Sequence, residues 1–263
     1  MANKSLQYLR TFGALVYRDF KFILSELSTR VIDGLVIATM QILVIAYFLP
    51  IMGMPSYLIG PLFIGMITQI VFSAGYNIAF KYANDLHHAR FINYQMALPL
   101  PKIWLFSQIV LSFMIELLMI TLPIIVFGSI VLSSSLPMNP PSWILLMVMY
   151  LLNLLFYSLL FLHVSFSSTY TWFLDNVWAR RLTPLFFLGC GYYTWKGLFI
   201  FNESIAYLFL LNPVTYVHEG LRSALFGQEN YLPLLMCILA VSSACLMLGY
   251  LLARAIYKRL DPV

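Results

Sequence analysis

Residues 103–132 read IWLFSQIVLSFMIELLMITLPIIVFGSIVL, thirty positions with Glu116 as their only charge. A helix needs about 20 mostly apolar residues to cross the hydrocarbon core of a bilayer, and this stretch exceeds that. Its apolar residues run continuously rather than alternating, which excludes the strand pattern of a transmembrane barrel. Five more stretches share the character: 31–52, 57–80, 143–164, 182–200 and 233–253. The expected fold class is an all-α integral membrane protein with six transmembrane helices.

The composition agrees. Of 263 residues, 62% are apolar and 10% charged. A soluble domain carries about 25% charged residues, so 15 basic and 10 acidic side chains cannot cover a globule of this size. A soluble enzyme, a disordered chain and a nucleic-acid-binding chain are all excluded on that ground. The net charge of +5 gains meaning from where the charges sit. With six spans, thirteen Lys and Arg fall on the side of the termini, and only Lys196 and Arg222 on the other. The positive-inside rule then places both termini in the cytoplasm. The first 30 residues hold five cations and no compact apolar core, which argues against a cleaved signal peptide. Cys190, Cys237 and Cys245 lie within apolar runs without ligand spacing and read as small core residues.

The division expected is an amphipathic cytoplasmic segment, 1–30, followed by one membrane domain, 31–263. In the first segment Leu9, Phe12, Val16, Phe20, Ile23 and Leu27 recur at helical spacing, with Arg10, Arg18 and Lys21 opposite. A helix lying in the headgroup layer fits, as does a cytosolic helix packed on a soluble subunit. The longest inner connection, 81–102, starts with the capping pair Asn84-Asp85 and stops at Pro99 and Pro101. It predicts a short cytosolic helix at about 85–97. Residues 201–226 are apolar and are interrupted by Asn212-Pro213. Two half-length helices fit there, too short to cross, so a re-entrant or interfacial hairpin on the outer face is expected.

Two polar stripes run inside the spans. Gln69, Ser73 and Asn77 are four apart, and so are Gln108, Ser112 and Glu116. Each stripe lies on one helical face and should avoid lipid. A pathway or subunit seam is one reading, and interhelical packing within one chain is the other. Glu116 has no Lys or Arg at matching depth in the sequence to pair with. His87 and His88, with Asp85, are adjacent on a helix and point about 100° apart, which suits a solvated face better than a metal site. No nucleophile elbow, zinc-protease motif or phosphate loop is present, so the chain is not expected to be an enzyme or to hydrolyse ATP itself.

The six spans, the cytosolic helix followed by Gln95-Met96-Ala97-Leu98-Pro99-Leu100-Pro101, and the late segment Leu211-Asn212-Pro213-Val214-Thr215-Tyr216-Val217-His218-Glu219-Gly220-Leu221-Arg222 together resemble the ABC type-2 permease family. That family includes exporters of nodulation factors, drugs, O-antigens and teichoic acids. Its late segment typically reads Asn-Pro-x-Thr-Tyr-x-x-Glu-x-x-Arg, matched here by Asn212, Pro213, Thr215, Tyr216, Glu219 and Arg222. The resemblance implies a permease subunit that pairs with a second copy and with two ATPase subunits, which would hold the ATP and Mg. No cofactor is implied for this chain itself. It further implies a bacterial inner membrane and outward movement of an amphiphile: a lipid-linked oligosaccharide, a lipid or a drug-like molecule. Asp85, Arg90, Asn93, Tyr94 and Gln95 become coupling-helix contacts with the ATPase. Gln69, Ser73, Asn77 and Glu116 become pathway or dimer-seam candidates, and Asn212, Pro213, Tyr216, Glu219 and Arg222 structural residues of the outer hairpin. The sequence departs from the family where Gly189-Cys190-Gly191-Tyr192-Tyr193-Thr194-Trp195 replaces a serine- and proline-containing stretch, and where Ile32-Asp33-Gly34-Leu35-Val36 replaces an element of the polysaccharide branch. A lipid-modifying transferase using His87, His88 and Asp85, or a non-transporting assembly subunit, are the competing readings.

Overall fold

The computed structural model describes residues 2–86, 100–133, 140, 142–168 and 176–260. Among them every regular element is helical. Five helical stretches are long and apolar enough to cross a membrane: Gln7–Ile51, Ser56–Asn84, Lys102–Val131, Trp143–Ser167 and Leu234–Lys258. The protein is therefore a multi-pass membrane protein by length and composition.

The first helix, α1 (Ala2–Leu43), runs on through a π turn at Val44–Phe48 and a last turn at Leu49–Ile51. No break separates an amphipathic segment ending at 30 from a span beginning at 31. The stretch Ser25-Glu26-Leu27-Ser28-Thr29-Arg30 holds no glycine or proline to stop the helix. At about 1.5 Å per residue the whole element is roughly 75 Å long, more than twice a hydrocarbon core. Its N-terminal half packs on the bundle, with Leu15 and Ile23 buried and Phe12 edge-on to Trp104.

Around it stand α2 (Ile59–Asn84), α3 (Lys102–Val131) and α4 (Trp143–Ser167). Then come the short helices α5 (Thr183–Phe187), α6 (Trp195–Phe201) and α7 (Glu203–Phe209), followed by α8 (Pro213–Phe226) and the long α9 (Leu234–Leu260). Helix α1 packs on α3, α4 on α2 and α9, and α8 is wedged between α2, α4 and α9.

The expected span 182–200 is not a single helix. A π turn at Trp178–Leu182 leads into α5, which ends at a turn where Cys190 takes φ 61°. The chain leaves the helix because its carbonyls are used elsewhere: those of Gly189, Gly191 and Tyr193 accept hydrogen bonds from side chains of α8. Gly65 of α2 allows this turn to approach, since a Cβ there would lie 2.0 Å from the Gly191 carbonyl oxygen. Gly65→Ala is expected to force backbone apart and cost about 1–3 kcal/mol, in the manner of an overpacked core. A thermal unfolding scan in detergent checks it.

Contacts fix which ends go together. Lys102 Nζ lies 5.1 Å from the Tyr257 ring, and Lys81 Nζ 4.0 Å from the Phe22 ring. The N-terminal half of α1, the end of α2, the start of α3 and the end of α9 therefore share one end of the bundle. Arg18, Lys21, Lys81, Lys102, Arg254 and Lys258 lie there. At the far end, Phe226 covers Gly60, and Met149 and Cys237 meet Gly220.

Candidate functional site

Both polar stripes face one crevice, and the third wall of that crevice is α1. From α3, Gln108 is 1% exposed and donates its amide to Asp19 of α1 and to Ser112 Oγ at 3.2 Å. Ser112 Oγ donates to the same Asp19 carboxylate at 2.9 Å, while Arg18 Nε holds its other oxygen at 2.9 Å. Two turns further along, Glu116 pairs with Arg30 of α1. Arg30 also reaches Glu26 at 2.6 Å, and Lys81 of α2 stands 3.7 Å from Glu26. The chain Glu116–Arg30–Glu26–Lys81 thus joins three helices. It gives Glu116 an ion-pair partner among apolar neighbours.

From α2, Gln69 accepts from Gln41 Nε2 of α1 at 3.0 Å and from the Tyr192 hydroxyl. Ser73 is half-buried and Asn77 exposed, and with Arg30, Asp33 and Gln41 they line a cavity of 260 Å³. Nearer the basic end, Asp19, Phe22, Tyr82, Asp85, Gln108 and Glu116 line a second cavity of 350 Å³. Arg30 borders the first cavity and Glu116 the second, so their ion pair forms the partition between the two.

Asp19, Glu26, Arg30, Asp33 and Gln41 complete the crevice, and sequence reasoning had not singled them out. Their spacing along α1 is seven, four, three and eight, one face of a helix. That stripe was visible in the sequence but was masked by the stronger apolar stripe beside it. Among the described residues, no three His, Cys, Asp or Glu side chains converge as a metal-holding group.

Comparison with family models, curated proteins and solved structures gives no match to this chain.

Of the residues expected to contact an ATPase, Asp85 ends α2 and lines the 350 Å³ cavity. Arg90, Asn93, Tyr94 and Gln95, with the rest of the helix expected at about 85–97, lie outside the described residues, as do His87 and His88.

The late segment forms a second polar centre at the far end. Asn212 caps α8, accepting from Val214 N at 3.0 Å and donating to the Leu185 carbonyl at 2.6 Å; Pro213 opens the helix. Tyr216 is half-buried against the core. Glu219 and Arg222, three apart on α8, form an ion pair at 2.9 Å, both 0% exposed. Arg222 donates to the carbonyls of Pro61 at 3.1 Å, Gly191 at 2.8 Å and Tyr193 at 2.9 Å. Glu219 accepts from Trp195 N at 3.1 Å and Leu232 N at 3.4 Å. One ion pair thereby ties the start of α2, the turn before α6 and the entry to α9 onto α8.

His218 lies fully buried beside this pair, with its Nδ1–H donating to the Gly189 carbonyl at 2.5 Å. Burial and the Arg222 charge push the imidazole down to about 3, against the opposing effect of that hydrogen bond. The unfolded chain, titrating near 6.5, binds a proton that the folded chain refuses. This part of the stability is complete above pH 6.5 and is lost as pH falls. Between pH 7.5 and 5.5 the loss is expected to be about 1.4 kcal/mol. His218→Gln should flatten it when thermal midpoints at the two pH values are compared.

Proposed function

We propose that the chain is the membrane permease subunit of an exporter driven by a separate ATP-hydrolysing chain, moving an amphiphile outward. The observation that carries this reading is the crevice between α1, α2 and α3, where a line of polar side chains crosses an otherwise apolar bundle and is interrupted by the Arg30–Glu116 pair. Polar groups at such depth are costly unless they meet water, a ligand or one another. A crevice with a polar floor and apolar flanks suits a molecule with both characters. The ion pair is then the closed constriction. ATP-driven movement of the attached subunits would shift the population toward a state in which α1 and α3 separate there.

The reading takes six crossings. The N-terminal half of α1 and the end of α9 meet at one end of the bundle, which favours an even number. The broken segment before α6 supplies the sixth, and α6–α8 form a re-entrant structure at the outer face. The basic end is cytoplasmic by the positive-inside rule, in a bacterial inner membrane. The reading includes a second copy of the chain, placed against the face where Asp33 and Asn77 are exposed among exposed apolar neighbours such as Ile32 and Val36. The segment following Asp85 would dock on the ATPase.

The test is a mild-detergent pull-down of the tagged chain from its native membrane, with mass spectrometry of what co-purifies. A phosphate-loop protein in near one-to-one amount is expected. An intact chain recovered without one would overturn the two-component reading.

A further inference from the structure

We propose that the open groove between α3, α4 and α9 is a binding site for an anionic glycerophospholipid, with an acyl chain in the groove and the phosphate at its basic end. The inference goes beyond the permease reading and does not depend on it. The groove has a volume of 810 Å³ and is walled by Leu111 and Met114 of α3, Leu155 and Leu159 of α4, and Leu246 and Tyr250 of α9, with Phe12 of α1 beside them. None of its lining side chains is charged. The α3 wall runs from Phe106 to Met114 and the α9 wall from Ser242 to Tyr250, each about 12 Å of helix. One leaflet of the hydrocarbon core is about 15 Å deep, so the groove suits an acyl chain entering from one surface.

The mouth of the groove is cationic. Lys102 stands one turn before Phe106 on α3, and Arg254 one turn beyond Tyr250 on α9, each continuing the helical face that lines the groove. Lys102 Nζ lies 5.1 Å from the Tyr257 ring, which brings these two helix ends together. Lys258 follows Arg254 by another turn, and both are exposed. Among the described residues no carboxylate pairs with Arg254 or Lys258. Asp19 and Glu116 lie against the opposite face of α3, engaged with Gln108, Ser112 and Arg30. A lipid phosphate at this end therefore meets cations with no carboxylate in competition, whereas a zwitterionic headgroup brings a cation of its own.

Gly249 agrees with an occupant from outside the chain. It sits inside α9, and a Cβ there would meet nothing within 4 Å. No described neighbour needs the position to be small, and glycine costs a helix about 1 kcal/mol relative to alanine. A second copy of the chain fits the groove less well than a lipid. Two α9 faces apposed across a two-fold axis would set Arg254 and Lys258 near their own copies, like charge against like.

Native mass spectrometry of the purified full chain, titrated with dioleoyl phosphatidylglycerol or dioleoyl phosphatidylcholine, tests this. The two probes share their acyl chains and differ in charge. Saturable retention of the phosphatidylglycerol is expected at about tenfold lower concentration, the effect of one or two cations beside an anionic headgroup. Arg254→Gln combined with Lys258→Gln should remove that preference and leave phosphatidylcholine unchanged. Gly249→Phe should fill the groove and weaken both lipids by about tenfold. Should Gly249→Phe fail to fold, Gly249→Leu serves instead, with the same direction expected. Equal retention of the two lipids by the wild type, a preference that survives in the double variant, or wild-type retention by a folded Gly249 variant would overturn the proposal. So would a dimer that Gly249→Phe converts to a monomer with lipid retention unchanged, which would mark the groove as a seam between copies. A pull-down that finds no ATPase leaves this result intact.

Discussion

Arg222→Leu is expected to leave little folded protein in the membrane. Arg222 is fully buried, the largest such side chain among the described residues, and it serves four acceptors: Glu219 on its own helix and three carbonyls from two other segments. Removing it strands the Glu219 charge, which for a buried pair costs about 3–5 kcal/mol. The carbonyls of Pro61, Gly191 and Tyr193 lose their donor as well, at about 1–3 kcal/mol for each one left dry. Together these approach the whole stability of an ordinary domain, roughly 5–15 kcal/mol. Arg222→Lys keeps the charge but cannot span the three carbonyls at once, so an intermediate yield is expected. The readout is the amount of monodisperse protein after detergent extraction, together with its unfolding midpoint. Wild-type values for Arg222→Leu would contradict the assignment of this pair as the clamp of the far end.

The second large effect belongs to the partition of the crevice. Arg30→Met leaves Glu116 charged between α1 and α3 and should cost about 3 kcal/mol, the lower part of the range for a buried pair because Arg30 keeps 29% side-chain exposure. Glu116→Leu should cost less, because Arg30 keeps Glu26 at 2.6 Å. The double variant should recover about half or more of either loss, since well-packed apolar residues often replace a buried pair without penalty. Unfolding midpoints of the four proteins form the cycle, and simple additivity would show that the two residues do not act together.

Much of this architecture was legible because apolar length is a direct reading of bilayer thickness, and five of the six expected spans are long helices. The sixth is not a single helix, for a reason local pattern cannot reveal. Residues 182–200 are apolar enough to cross, but His218 and Arg222, about thirty residues later, take the carbonyls of the Gly189–Tyr193 turn. The helix runs on through residue 30, where a change of composition is unaccompanied by any helix-breaking residue. Both polar stripes were legible at their four-residue spacing, but their common destination was not. Arg30 lies 86 positions from Glu116, and Asp19 lies 89 from Gln108. The 201–226 stretch was legible as two half-length helices interrupted by Asn212-Pro213, whereas the cap at Asn212 and the partners of Glu219 and Arg222 came only from the fold.

The central claim is that the crevice between α1, α2 and α3 is a water-accessible path. The most direct measurement is the rate at which a charged, membrane-impermeant thiol reagent modifies single cysteines in native membranes. Cys190, Cys237 and Cys245 are buried, so the background should be low. Ser73→Cys and Asn77→Cys are predicted to react at least about tenfold faster than Leu122→Cys and Val126→Cys on the exposed apolar face of α3, because the reactive thiolate forms only in water. Rates at Ser73→Cys and Asn77→Cys no higher than at those two controls would contradict the account.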